Sequence, residues 1–388
     1  MLDLTEKLKH IARQQAKWKG LIDKAKSLAP TLPRAPIVLI ETDDFGANPG
    51  ALRMFSHVPS GLGADAPLVV VLHGCSQTAA AYDTGAGWST LADRYGFALL
   101  YPEQQASNNA NLCFNWFVSG DTQRGQGEPA SIRAMIETMV AEHQLDMDRI
   151  FITGLSAGGA MASVMLAIYP EVFAAGAIIA GLPHGAAKNV QEAFEAMFQA
   201  PARPAPAWGD MVRRASPHSG PWPRVSVWHG DADRTVVPAN AKEIVKQWRD
   251  VHGLPEAPTL TEAVNGHARD VWRDATGADV IESYTIEGMA HGTPLSVGEG
   301  DDQAGTASAF LIEAGISSTF HAAKFFGIAA AHTAAVQQKK SPALRPRAKV
   351  TDEPRRERPA KQAPKLPAGV DVHGVITRAL TAAGLMKR

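Results

Sequence analysis

The pentapeptide GLSAG, Gly154 to Gly158, sets Ser156 between two glycines where the apolar run RIFITG meets the Ala- and Met-rich stretch Ala157 to Tyr169. In a Gly-x-Ser-x-Gly turn from strand to helix, the missing Cβ atoms let the two elements approach closely. The serine hydroxyl is then pushed out at the carboxyl end of the strand. A helix starting near Ala157 points unpaired amides and the positive end of its dipole at any charge developing there. The chemistry that suits such a serine is acyl transfer, in which it attacks a carbonyl carbon. That requires a base for its proton and a carboxylate to orient the base.

Two later segments offer these partners in the chain order Ser, Asp, His. After RVSVW comes HGDADRTVVP, with Asp231 and Asp233; after VIESYTI comes EGMAHGTP, with His291. The form H-G-x-x-D-x-x-V sets Asp233 deeper in its loop, just before Val236, so Asp233 is the expected orienter and Asp231 the rival. His291 is the expected base; His267 is the rival, but it precedes the last strand instead of following it. A tetrahedral oxyanion needs backbone donors. One is expected from Ala157, the residue after the serine. The other is expected from Cys75, in the loop after LVVVLHG. His73 in that loop reads as a structural residue that ties the loop down.

These residues need strands that end on one edge and helices that bring the chain back. Apolar runs at Leu68–Gly74, Phe97–Pro102, Arg149–Gly154, Ala174–Gly181, Arg224–Gly230 and Val280–Gly288 read as buried strands. Helical stretches fall between most of them, among them Ser131–His143, Ala157–Tyr169 and Ala239–His252. This alternation predicts an α/β protein with a mostly parallel central sheet and helices on both faces. Pro- and Trp-rich sequence from Gly181 to Pro223 interrupts it, as a cap over the site or as a surface excursion.

The chain has 388 residues, 45% hydrophobic, enough for one large domain with appendages. The segmentation expected is a helical extension over 1–35, a catalytic domain over 36–315, an Ala-rich helix over 316–336, a basic Pro-rich disordered linker over 337–367 and a short helix over 368–388. A net charge of −1 gives no reason to expect a nucleic-acid partner. No run of eighteen apolar residues is present, so no transmembrane helix is expected. The first twenty residues lack the apolar stretch of a standard secretory signal. The two cysteines, Cys75 and Cys113, match neither a zinc site nor a CxxC motif; they either pair or stay reduced, according to compartment. The chemistry calls for no metal and no organic cofactor. Of the aromatics on loops and element ends, Trp116 is the one expected to line the substrate pocket.

Taken together, LHGCSQT, GLSAGGAM, HGDADRTV and GMAHGTP resemble the polyhydroxybutyrate depolymerase-type esterases, a group of α/β-hydrolases that also contains feruloyl and acetylxylan esterases. The resemblance covers roughly Met54 to Gly315. It implies an α/β-hydrolase fold and hydrolysis of carboxylic esters, with Ser156 as nucleophile, His291 as base and Asp233 as orienter. The substrate implied is a hydroxyalkanoate polymer or oligomer, the alternative being a small aryl or acetyl ester. It places Cys75 on the family's oxyanion loop and Cys113 in a segment near the site, which makes the two a candidate disulfide. Family members are extracellular; with no standard signal in view, cytoplasm is the alternative. No folded substrate-binding domain is evident in the tail, which favours soluble oligomers or small esters over crystalline polymer. The same triad would serve a peptidase or acyltransferase. A reading of another class is a protein that binds granule, anionic or membrane surfaces through the basic N-terminal helix and the Lys/Arg-rich tail.

Overall fold

The alternation of apolar runs and helical stretches produces a twisted sheet with two separate cores, one on each face. The structure, a computed structural model, describes residues 39–329. The expected N-terminal helix over 1–35, the linker over 337–367 and the helix over 368–388 lie outside the described residues, and with them the proposed contacts to granule or anionic surfaces.

Two short strands open the described region, β1 (Ile40–Thr42) and β2 (Arg53–His57). Then come β3 (Leu68–Leu72), α1 (Ala79–Ala86), α2 (Trp88–Tyr95), β4 (Ala98–Glu103), α3 (Gly127–His143), β5 (Ile150–Leu155), α4 (Ala157–Ile168) and β6 (Ala175–Ile179). The interruption after β6 contributes α5 (Val190–Gln199) and α6 (Ala205–Ala215). The chain returns through β7 (Arg224–Gly230), α7 (Ala239–His252), β8 (Leu260–Val264), β9 (His267–Arg273) and β10 (Asp279–Ile286). It finishes with β11 (Thr293–Leu295), β12 (Leu311–Glu313) and α8 (Ser318–Phe326).

The main sheet has ten strands in the order β1-β2-β4-β3-β5-β6-β7-β10-β9-β8. The six central ones, β4 to β10 in that order, pair in parallel, and the two strands at each flank are antiparallel. Every side chain of β3, β4, β5 and β6 is buried. Alternation along β3 divides them: Leu68, Val70 and Leu72 join one core, with residues of α3, α4, α6 and α7, whereas Val69 and Val71 join the other, with residues of α1, α2 and α8. Burial on both faces explains why these strands read as unbroken apolar runs.

The structure adds elements that the sequence pattern did not announce. The hairpin β8–β9 turns on Asn265-Gly266, both with positive φ (50° and 85°), and its outer strand is mostly exposed, so no apolar run marks it. The Ala-rich stretch yields α8, whose Phe326 stacks on Phe151 of β5 with ring centroids 4.7 Å apart. The folded body therefore continues past residue 315.

Candidate active site

At the end of β5 the chain turns through Ser156, whose φ of 58° and ψ of −115° lie in a region that side-chain-bearing residues rarely adopt. Such a conformation costs about 1–3 kcal/mol and persists only where the surroundings enforce it. Here the Ser156 amide donates to the Ile179 carbonyl (2.9 Å), and its own carbonyl accepts from Ala160 (2.8 Å). Glycine is required at both sides of the turn. A Cβ on Gly154 would collide with the Gly158 backbone, and one on Gly158 would collide with the carbonyls of Leu72 and His73 at the end of β3. The same close packing that makes the turn thus brings Ser156 to the loop after β3.

On one side of Ser156, the loops after β7 and β10 are joined to each other. The Asp231 amide donates to the Ile286 carbonyl (3.1 Å) and the Ala232 amide to the Met289 carbonyl (3.2 Å). A Cβ on Gly230 would strike the Met289 carbonyl, so only glycine permits this approach. The rival carboxylate, Asp231, accepts from the Gly288 amide (2.7 Å) and so braces the second loop. Asp233 is the residue that reaches His291: its Oδ2 accepts from Nδ1 of His291 at 2.7 Å. Its Oδ1 accepts the amides of Thr235 (2.8 Å) and Val236 (3.0 Å). His229 Nε2 donates to the Val236 carbonyl (2.7 Å) and lies 3.2 Å from Asp233 Oδ2. Burial by itself would raise the pKa of Asp233. The charge of His291 and the hydrogen bonds from His229 and His291 outweigh it and hold the carboxyl well below the usual carboxylate range. The bond from Nδ1 of His291 to the Asp233 carboxylate turns Nε2 away from Asp233, the orientation that a general base requires. The rival base, His267, is committed elsewhere, to the Ala314 carbonyl and the Glu287 amide.

On the other side, the loop after β3 is held by covalent and polar links. Cys75 and Cys113 form a disulfide. The Ser76 amide donates to the Asn111 carbonyl (2.7 Å), and the Gly74 amide donates to Gln77 Oε1 (2.8 Å). The amide between them, that of Cys75, and the amide of Ala157 have no acceptor among the described residues. His73 is fully buried; its Nδ1 donates to the Gly74 carbonyl (2.8 Å) and its Nε2 accepts from the Gln104 amide (3.1 Å). Burial pulls its pKa down to about 4, against the Gly74 carbonyl, so it is a neutral brace.

Behind this brace lies Glu128, a buried carboxylate that accepts from Gln104 Nε2 (2.5 Å), Asn115 Nδ2 (2.8 Å) and the Asn115 amide (2.9 Å). Gln104 also donates to the Cys113 carbonyl (3.1 Å). Burial and the nearby Asp121 push the Glu128 carboxyl up to about 8, against its hydrogen bonds from Asn115 and Gln104.

Gly74, Cys75, Gln77, Leu155, Ser156, His291 and Phe310 line a small open cleft. Ser156 and His291 thus face the same space, with Asp233 behind His291. Trp116 is not part of this lining. It is 6% exposed, packs edge-on to Phe117 and belongs to the core beside Phe114, because its segment is drawn inward where Glu128 binds Asn115. The apolar wall is formed instead by Leu155 and by Phe310, whose ring lies 6.0 Å from that of His291. Phe310 sits outside every motif, and only the pairing of β11 with β12 brings it in. Among the described residues, no group of three or more His, Cys, Asp and Glu side chains converges as metal ligands would.

The family model described as "Esterase PHB depolymerase" matches residues 54–271, more than half of the chain. The chain belongs to this esterase family. It is 45% identical over 311 residues to poly(3-hydroxyalkanoate) depolymerase C of Paucimonas lemoignei, a match that covers 80% of this chain and 75% of the relative. It is 32% identical over 275 residues to the acetylxylan esterase of Coprinopsis cinerea, covering 69% and 72% of the two chains. Among solved structures, the acetyl xylan esterase from Aspergillus awamori superposes with a TM-score of 0.64 at 26% identity, over 75% of this chain and all of that one. This esterase therefore has the α/β-hydrolase fold, and its relatives are carboxylic-ester hydrolases.

Proposed function

We propose that the protein hydrolyses esters of short hydroxyalkanoates, as polymer or oligomer, by two-step acyl transfer. The reading rests on one observation above the others: Ser156 and His291 line a single cleft, and Asp233 holds the far nitrogen of His291 at 2.7 Å. In the first step His291 Nε2 takes the Ser156 proton as the hydroxyl oxygen attacks the ester carbonyl carbon. The amides of Cys75 and Ala157 donate to the developing oxyanion. Collapse of the tetrahedral adduct expels the alcohol, which takes the proton from His291. Water then repeats the sequence on the acyl-enzyme, releasing the acid and restoring Ser156. Asp233 keeps His291 in the required tautomer and stabilises its charged form. The apolar wall of Leu155 and Phe310 beside Ser156 supports a short acyl group as the part bound there.

The choice of hydroxyalkanoate over acetyl ester rests on identity, 45% to the depolymerase against 32% to the acetylxylan esterase. The Cys75–Cys113 disulfide supports an extracellular location, since such bridges persist in oxidising compartments. The test is a hydrolysis panel on purified protein: 3-hydroxybutyrate oligomers, amorphous polyhydroxybutyrate, acetylated xylan, methyl ferulate and short p-nitrophenyl esters. Highest kcat/KM on the oligomers or polymer is expected. Preference for acetylated xylan or ferulate, with hydroxybutyrate esters untouched, overturns the substrate and leaves the chemistry.

A further inference from the structure

We propose that Gln77 is a catalytic residue that touches the substrate, donating from its side-chain Nε2 to the reacting acyl oxygen as a third donor beside the backbone amides. The inference rests on the acyl-transfer reading and deepens it.

Gln77 lines the cleft together with Ser156 and His291, and these three are the only hydrogen-bonding side chains among its lining residues apart from the bridged Cys75. An ester presents acceptors alone, so the cleft must supply donors. The amide of Gln77 is oriented before any substrate arrives. Its Oε1 accepts the Gly74 N–H at 2.8 Å, and its own backbone N–H returns to the Gly74 carbonyl at 3.3 Å. Gly74 allows the contact, since a Cβ there would stand 3.0 Å from Oε1. Accepting through Oε1 ties that end of the amide to Gly74 and leaves Nε2 available to donate. Nε2 has no acceptor among the described residues, although the residue is only 9% exposed. An amide that is pinned at one end and opens into the cleft at the other, on a loop clamped by the Cys75–Cys113 bridge, is preorganised for a charge that appears only during reaction.

The competing account is that Gln77 only pins the loop through Gly74, and two substitutions separate the accounts. Gln77→Glu keeps an oxygen for the Gly74 amide but removes the donor. Gln77→Met removes donor and pin without adding charge. Steady-state hydrolysis of a short p-nitrophenyl ester is measured for both, with melting temperatures and with Ser156→Ala in parallel. Both variants are expected to lose about 100-fold or more in kcat, with KM changed only a few-fold and melting temperature near that of the parent. Wild-type kcat in Gln77→Glu with loss in Gln77→Met would mean a pin alone and overturns the proposal. Loss in Gln77→Glu with wild-type kcat in Gln77→Met would mean charge repulsion alone and overturns it too. If Ser156→Ala itself retains activity, the acyl-transfer reading fails; if Ser156→Ala is inactive and either overturning pattern appears, only the role of Gln77 fails.

Discussion

The two walls of the cleft are built by different physics. The His291 wall is two loops laid against each other, joined by main-chain hydrogen bonds, the close approach at Gly230 and the brace from Asp231 to Gly288. At its centre is a carboxylate, Asp233, held ionised. The Cys75 wall is a single loop fixed by a covalent bridge and by a buried polar chain running from Glu128 through Gln104 to His73. Its central carboxyl, Glu128, is pushed in the opposite direction, toward the neutral form. In the proposed mechanism one wall moves protons and depends on a charge being present. The other offers fixed donors and depends on a loop keeping its place. The two should therefore fail under different insults.

The largest effect is expected on the proton-moving wall. Asp233→Asn retains the acceptor for Thr235 and Val236 but loses the ionised partner of His291, and kcat should fall by about 10⁴ with the fold intact. Circular dichroism beside steady-state kinetics checks this; a loss under tenfold would mean that His291 is oriented by something else. Next is the covalent clamp. Cys113→Ser opens a bridge spanning 38 residues and should lower stability by about 2–4 kcal/mol. Because the Cys75 amide then wanders, kcat should drop by up to about 10², short of the loss for deleting a donor outright. Unchanged kcat in the folded variant would separate the bridge from catalysis.

Acidity should divide the walls by sign. The lowered pKa of Asp233 contributes stability that is present above the ordinary carboxylate value of about 4 and lost as pH falls further. The raised pKa of Glu128 contributes stability that is present below about 4 and lost as pH rises through about 8. Melting curves from pH 3 to 9 should show Asp233→Asn losing less on the acid side than the parent, and Glu128→Gln losing less on the alkaline side. Parallel curves for all three proteins would contradict the assignment. The smallest effect is expected for Asp231→Ala, which removes one exposed acceptor from Gly288: a few-fold in kcat and about 0.5–1.5 kcal/mol in stability.

The Cys75 wall and the His291 wall also differ in how much of them could be read from residues alone. The nearness of Asp233 to His291 and the shared cleft of Ser156 and His291 were foreseeable because each residue follows closely on a mostly buried strand, and such strands are conspicuous in sequence. Their neighbours were less so. Asp231 and Asp233 are two residues apart; the H-G-x-x-D-x-x-V form favoured Asp233, whereas the bond from the Gly288 amide to Asp231 has no sequence signal. Phe310 reaches the cleft through the parallel pairing of β11 with β12, three residues each, too short to carry a periodic signal. The Glu128 chain joins residues up to 55 positions apart through the side-chain and backbone amides of Gln104, a pattern no local spacing records. Trp116 differs from its expected place: it lies buried in the core beside Phe114, near the Glu128–Asn115 contact, which sequence spacing does not record. Edge strands such as β8 were silent because exposure removes the apolar run.

The most direct test of the central claim is covalent trapping. The full-length protein is treated with an organophosphonate that phosphonylates activated serines, and the modified peptide is read by mass spectrometry. The account predicts one adduct per chain, on Ser156, formed in step with loss of esterase activity and absent from Ser156→Ala. Complete inactivation with the adduct on another residue, or esterase activity that survives full modification of Ser156, would contradict it.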